Sequence, residues 1–246
     1  MAQYGSEHIL PYNKEERKGV QVERMFDAIA GKYDLLNRTL SLGFDKSWRK
    51  KAIRTLKPFA PETILDVATG TGDLAIALYR ELNPCRVIGA DLSEGMMNIG
   101  RRKAAESGCS EHVSFERQDS LSLTYPPCTF DAVTAAFGVR NFEDIAKGIS
   151  EMFRVLKPGG HLVILELTAP ERFPMNRLFA FYSRALIPAI GRMVSKEKKA
   201  YNYLPASIRV VPQGKVMAEL LERIGFGEVK VRTFTLGVCS LYTAVK

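Results

Sequence analysis

The chain has 246 residues, 46% of them hydrophobic, with a formal net charge of +8. It is long enough to bury a sizeable core and suits one α/β domain with additions. No run of about 18 apolar residues is present to span a bilayer. The polar N-terminus lacks the apolar centre of a secretory signal, and four cysteines at 85, 109, 128 and 239 form no CxxC pair, so neither a zinc knuckle nor a disulfide framework is supported.

In chain order, the polar residues 1–24 predict a loosely ordered arm. From 22 to about 57 the pattern is helical, with a break near Ser41-Leu42-Gly43. Its end, "KSWRKKAIRTLK" (46–57), holds six Lys/Arg and no acid. Strands and helices then alternate. "ETILDVA" predicts a first strand and 73–83 a helix; "CRVIGAD" a second strand and 94–107 a helix; "HVSFERQD" a third strand. "FDAVTAA" predicts a fourth strand, 143–156 a helix and "HLVILELT" a fifth strand. This order points to a doubly wound, mainly parallel sheet.

The ending departs from a plain Rossmann domain. Aromatic-rich helical segments run over about 175–203, and a helix over 213–224 ends at Gly225. "EVKVRTF" and "GVCSLYTAV" then stand back to back around Leu236-Gly237. So short a join makes them an antiparallel hairpin. Residues 171–203 carry seven Lys/Arg against two acids. With 46–57 they exceed the chain's whole net charge, so the remainder is slightly acidic. Two basic segments carrying Trp48, Phe179, Phe181 and Tyr182 fit a surface that meets anionic lipid. They fit ordinary solvated helix faces as well, and the uneven charge argues against a nucleic-acid binder.

"LDVATGTGDLAIAL" (65–78) is the chemically informative turn. Gly70 and Gly72 remove Cβ atoms, so backbone can approach a ligand and take φ > 0. The spacing fits a dinucleotide fingerprint and equally the nucleoside-binding turn of a methyltransferase. Asp66 ends the first strand and Asp73 opens the helix. Two carboxylates there would repel a pyrophosphate and suit a ligand bearing an ammonium and a sulfonium; Asp73 also suits the helix N-terminus on its own account. Asp91, with Leu92 after it, ends the second strand, where an acid can accept both hydroxyls of a ribose. Asp119 and Ser120 follow the third strand, placed for an adenine amino group. Ligands of such sheets bind at the carboxyl ends of the strands, where 66–73, 91, 119–120 and 136–141 all fall.

Together, "LDVATGTGD", "GADLSEGMM", "FDAVTAAFGVRN" and "RVLKPGGHLVILELT" resemble the successive motifs of class I S-adenosylmethionine-dependent methyltransferases. More narrowly, "YDLLNRTLSLGFDKSW" (33–48), "RVLKPGGHLVILELT" (154–168), "FGVRN" (137–141) and "YNYLPASIRVVP" (201–212) resemble the UbiE/MenG family of quinone-biosynthesis C-methyltransferases, over roughly residues 22–246. The resemblance implies a Rossmann-like seven-stranded sheet of order 3-2-1-4-5-7-6 with the last strand antiparallel. It implies one methyltransferase domain: a helical cap (1–57), a cofactor core (58–170), a substrate-side helical insertion (171–212), and a C-terminal helix and hairpin (213–246). The expected cofactor is S-adenosyl-L-methionine, held by Thr71, Asp91, Asp119 and Ser120, and the expected reaction is ring methylation of a polyprenylated quinol, foremost 2-demethylmenaquinol to menaquinol. A benzoquinol of ubiquinone synthesis, or another small acceptor, is the alternative. The family has a serine where Ala136 stands, a histidine at Asp45, a methionine at Leu36, a glycine at Thr69 and a histidine at Tyr242.

The chemistry then needs alignment, exclusion of water and an ionised ring hydroxyl. It needs no metal, because a sulfonium is already activated. Arg140 is the first candidate to stabilise a quinolate or hold a water; it is too basic to be the base unaided, and a salt bridge to Asp144 is its structural alternative. Asn141 is expected to orient that loop, Tyr33 to line the substrate pocket, and Asp34 to be a base or a cap. Tyr201, Tyr203 and Arg209 are weaker candidates. In "PMNRLFAFYSRALIPAIGRM", Leu178, Phe181, Tyr182 and Ala185 recur at helical spacing between Arg177, Arg184 and Arg192. That segment predicts a wall for an isoprenoid tail, a cytoplasmic protein touching the inner leaflet peripherally, or a contact in a homodimer.

Overall fold

The computed structural model describes residues 4–186 and 198–246. Its centre is a seven-stranded sheet of order β3-β2-β1-β4-β5-β7-β6. The strands are β1 (Thr63–Val67), β2 (Arg86–Asp91), β3 (Val113–Arg117), β4 (Phe130–Ala136), β5 (Leu156–Leu167), β6 (Gly227–Phe234) and β7 (Cys239–Val245). The first five pair in parallel, and β7 runs antiparallel between β5 and β6. The fold class and strand order agree with the sequence expectation.

Helices cover both faces, so the central strands read as apolar runs rather than alternating ones. On one face α5 (Ile145–Val155) and α8 (Lys215–Ile224) turn Ile145, Ile149, Met152, Met217, Leu220 and Leu221 onto Leu65, Val133, Leu162 and Ile164. On the other, α2 (Phe44–Leu56), α3 (Asp73–Leu82) and α4 (Glu94–Glu106) bury Trp48, Ile53, Leu74, Leu78 and Met97 against Ile64, Val87 and Val163. α1 (Lys18–Leu40) lies across the carboxyl edge of the sheet, and α6 (Met175–Phe181) and α7 (Lys198–Val210) follow β5. The break between α1 and α2 falls where expected, with Gly43 at φ +77°.

Two expectations change. β5 begins at Leu156, five residues before the predicted strand. Leu156 already pairs with Phe130, and regular pairing resumes at His161 after an irregularity that contains Gly159 at φ +75°. The N-terminal arm is ordered rather than loose from residue 4 onward. Glu7 is buried and accepts the Ile145 amide at 2.8 Å, satisfying an otherwise orphaned donor at the start of α5. Lys18 is buried too, its ammonium donating to the carbonyls of Ser6, Phe142 and Arg140 at 2.7, 3.0 and 3.2 Å. These buried polar groups anchor a stretch whose composition alone reads as solvated. Arg192 lies outside the described residues, as do the side chains of Arg184 and Tyr201.

Phe115 on β3 packs under the glycine turn and against α4. A Cβ on Gly100 would meet its ring at 2.6 Å and one on Gly72 at 2.5 Å, and Gly72 also sits at φ +75°. Gly100→Ala should therefore cost about 1–3 kcal/mol in urea unfolding through overpacking, and Phe115→Leu in the same chain should recover most of it. Gly72→Ala should not be recovered in this way, because its positive φ remains.

Candidate active site

A cleft of about 350 Å³ opens at the carboxyl ends of β1, β2, β3 and β4, roofed by the first half of α1. Its floor and walls include Gly70, Asp91, Leu92, Asp119, Ser120 and Ala136, and Tyr33 and Asn141 close one end. The structure thus brings eight of the sequence candidates together. Asp91 is the centre of the arrangement. One of its carboxylate oxygens accepts the Gly70 amide at 2.8 Å and the other the Ser93 amide at 2.9 Å. Burial raises its pKa, and these two amides oppose the shift. Asp119 accepts the Leu121 amide at 2.9 Å. Ala136 contributes a methyl group to the wall, where the resemblance implied a serine.

The other candidates support the cleft from behind. Asp66 is buried and accepts the hydroxyls of Thr69 and Thr134, both at 2.6 Å. Burial pushes its carboxyl up to about 6 against those two bonds. Thr71 turns its hydroxyl away from the cleft and donates to Asp34 at 2.6 Å. Asp34 is therefore neither a cap nor a base facing the cavity. It bonds Lys103 at 3.0 Å, and Lys103 also pairs with Asp73. Arg49 joins the network, 3.5 Å from Asp73 and 2.5 Å from Asp45. Burial works against the Asp73 carboxylate, but Arg49 and Lys103 hold its pKa below the ordinary range. This charge cluster fastens α1 and α2 to the glycine turn. Gly72 is not part of the cleft lining and serves the turn and its packing on Phe115.

A second, smaller cavity of about 50 Å³ adjoins the cleft and shares Phe26, Tyr33 and Asn141 with it. Its walls are mostly apolar, from Met25, Ile29, Leu36, Leu40 and Leu204, with Arg140 and Tyr203 at its polar end. Arg140 is buried against buried Glu166 at 2.7 Å and donates to the Phe137 carbonyl as well. Its ion-pair partner is Glu166 on β5, not Asp144, which instead caps α5 by accepting the Lys147 amide at 2.8 Å. Burial disfavours the guanidinium charge, yet Glu166 holds its pKa above the ordinary arginine value. Among the described residues, three buried polar atoms here have no protein partner: Arg140 Nε, Asn141 Oδ1 and the Tyr203 hydroxyl. Burial also raises the pKa of Tyr33 and Tyr203. Arg209 is elsewhere, donating to Ser183 at 3.0 Å.

Sequence reasoning missed Glu166, Lys103, Asp27 and Phe26. Glu166 carried a usable signal, as a lone acid inside the apolar run "HLVILELT". Asp27 fixes the α1 roof by accepting the Ser93 hydroxyl at 2.5 Å and the Gly95 amide at 3.0 Å. The departures from the family pattern are accommodated: Asp45 pairs with Arg49, Thr69 with Asp66, and the Tyr242 hydroxyl accepts the Gly214 amide at 2.8 Å.

A parallel sheet closed by an antiparallel hairpin, with acids after β2 and β3 and a glycine turn after β1, defines a nucleoside-binding methyltransferase. A methyltransferase of Thermotoga maritima, titled a SAM-dependent methyltransferase and possible histamine N-methyltransferase, shares the fold with TM-score 0.63 over 91% of this chain and 99% of its own, at 18% identity. The profile of the ubiE/COQ5 methyltransferase family matches residues 12–246, and the chain belongs to that family. It is 57% identical to the demethylmenaquinone methyltransferase of Bacteroides fragilis over 243 residues, 99% of each chain. It is 46% identical to the protein of that name from Porphyromonas gingivalis over 98% of each. With the ubiquinone/menaquinone biosynthesis C-methyltransferase UbiE of Geobacter sulfurreducens it shares 40% over 93% of this chain and 90% of that one. The chain is an S-adenosylmethionine-dependent C-methyltransferase.

Asp66 gives the site a measurable pH signature. Its carboxyl titrates near 6 in the fold and near 3.8 in the unfolded chain, so the native state binds the extra proton between those values. Stability from this group is lost as pH rises through 6. Lowering the pH from 7 to 5 should therefore add about 1 kcal/mol relative to Asp66→Asn, which lacks the titration. Urea unfolding of both chains across that range checks the sign.

Proposed function

We propose that this protein methylates the ring carbon of 2-demethylmenaquinol to give menaquinol. The observation that carries the reading is the second cavity. Its walls are mostly apolar, it adjoins the cofactor cleft and shares Phe26, Tyr33 and Asn141 with it, and three of its lining residues carry buried polar atoms without partners among the described residues. Orphaned buried polar groups are costly unless a ligand satisfies them. A quinol brings two ring oxygens able to accept from Arg140 Nε and Tyr203 and to donate to Asn141. The curated relatives named for demethylmenaquinone support the same substrate.

The cleft suits S-adenosylmethionine. Asp91 would take the ribose hydroxyls, Asp119 and Ser120 the adenine end, and the Gly70 backbone the amino-acid portion, with buried Asp66 behind it. Bound there, the cofactor supplies a methyl group already activated on a sulfonium. The protein's own task falls to the second cavity. A ring hydroxyl has a pKa of about 10, and ionising it makes the neighbouring carbon nucleophilic. The fixed charge of Arg140, desolvated and held by Glu166, lowers that pKa and stabilises the quinolate. The hydroxyl proton leaves through water, since arginine cannot accept it. After the methyl has moved, the hydrogen on the methylated ring carbon would leave as a proton while the ring oxygen regains one, restoring the aromatic quinol with a net release of one proton. Tyr33 and Phe26 separate the ring from solvent beneath α1. A prenylated substrate dissolves in a bilayer, and this supports reading the enzyme as a peripheral protein at the cytoplasmic surface of a membrane.

Purified enzyme with S-adenosylmethionine should methylate demethylmenaquinol, with a demethylated benzoquinol as the competing acceptor. Arg140→Met should lower kcat by roughly 10²–10³ and move the alkaline rise of rate to higher pH. Asp91→Ala should weaken cofactor binding about tenfold or more by calorimetry. Transfer to the benzoquinol alone, or an Arg140→Met enzyme with an unshifted profile, overturns the corresponding part of the reading.

A further inference from the structure

We infer that the face around the α1–α2 junction is the surface on which this protein rests on an anionic bilayer; this builds on the membrane contact proposed above and assigns it a place. Single exposed apolar side chains are ordinary, whereas a contiguous set marks a contact. Here Leu42, Phe44, Phe173, Leu178, Phe181 and Leu236 are all exposed, and Leu42, Phe173 and Leu236 keep 75–78% of their surface.

They come from three separate parts of the chain that direct contacts join. The Tyr182 hydroxyl, next to Phe181, donates to the Leu40 carbonyl at 2.5 Å. Phe44 stacks on Trp48, with ring centres 6.3 Å apart. The Trp48 indole donates to Thr235, the neighbour of Leu236, at 2.9 Å. α6, the α1–α2 junction and the β6–β7 turn therefore present one continuous face. That face lies at the substrate end of the molecule. Cys239 pairs with Leu167, placing the turn at the carboxyl end of β5, and Leu36 and Leu40 just below the junction line the second cavity.

Charge names the occupant. Segments 35–59, 172–186 and 229–239 contain one acid, Asp45, and it is buried on Arg49. Arg38, Lys46, Lys51, Arg54 and Arg177 are exposed around the apolar side chains. Lys51 lies over the Phe234 ring at 5.0 Å and Arg177 over Phe173 at 5.8 Å. Apolar side chains entering the acyl boundary with cations at headgroup level are what an interfacial contact requires. The structure also refines the sequence expectation for 46–57. Arg49 faces inward and Lys50 pairs with Glu81 at 3.6 Å, so the basic run alone does not make the surface.

The test is sedimentation of the full chain with vesicles of equal parts phosphatidylglycerol and phosphatidylcholine, and with phosphatidylcholine alone. Wild type should bind the anionic vesicles in a salt-sensitive manner, and a Leu42→Ser/Phe44→Ser/Phe181→Ser chain should bind about tenfold or more weakly. None of the three residues lines either cavity, so methylation of a short-tailed demethylquinol in solution should be unchanged and reports folding and chemistry separately. Unchanged vesicle binding by the triple variant overturns this face while leaving membrane contact standing. Absence of binding by wild type overturns both. A wild-type dimer that the triple substitution converts to monomer assigns the face to a second copy and also overturns the proposal.

Discussion

Everything at this site depends on how α1 is held down. The helix has no strand to pair with and must be fixed to the sheet edge by side chains. Its far half is fastened by Asp34, which reaches Thr71 and Lys103. Its middle is fastened by Asp27 on Ser93 and Gly95 and by Glu23 on Arg117 at 2.8 Å. Its start is fastened by Lys18 on the carbonyls of Arg140 and Phe142. Without that roof the cleft would be an open groove, and the second cavity, walled by Met25, Ile29, Leu36 and Leu40, would not exist. The exposed ion pairs in this set are individually weak. The buried and half-buried ones, placed along the whole helix, fix its register over the glycine turn.

The Arg140–Glu166 pair is the expensive part of the design. Desolvating two charges commonly costs as much as their attraction returns, so a buried ion pair is poor evidence of stability. Its value lies in placement. Glu166 accepts both the Arg140 backbone amide at 3.0 Å and the guanidinium at 2.7 Å. The loop after β4 is thereby locked to the end of β5, and the guanidinium keeps its Nε free toward an apolar space. A cation fixed in this way stabilises a developing anion without reorganising. A lysine in its place would carry charge but not a second kind of donor, the Nε–H, beside the nitrogen that engages Glu166.

The sheet was legible from the sequence because its strands follow the short, β-branched runs that a two-faced parallel sheet demands, and the hairpin followed from the brevity of Leu236-Gly237. The strand-end acids were legible for the same reason, since strand direction places Asp91 and Asp119 on one edge. What escaped was whatever depends on a long-range partner. Asp34 reads as a base candidate on a covering helix, and only the fold shows it spent on Lys103, 69 residues away. Thr71 reads as a ligand contact, and only the fold shows its hydroxyl bonded to Asp34. The polar stretch 1–24 reads as a loosely ordered arm, yet Glu7 and Lys18 within it are buried, each satisfying backbone groups of the loop after β4 or the start of α5. Polar residues that cap distant backbone carry no local signature.

Asp91 shows how the cofactor cleft can be firm before anything enters it. Its two oxygens already hold the Gly70 and Ser93 amides, tying the first and second strand-end loops together. A carboxylate with two backbone donors retains lone pairs for further hydrogen bonds, so a ribose bound as proposed would add to this arrangement rather than replace it. Asp27 then ties the same Ser93 to α1, so the roof, the second loop and the glycine turn share one chain of hydrogen bonds. Ordering those loops in advance removes an entropic cost that a ligand would otherwise bear.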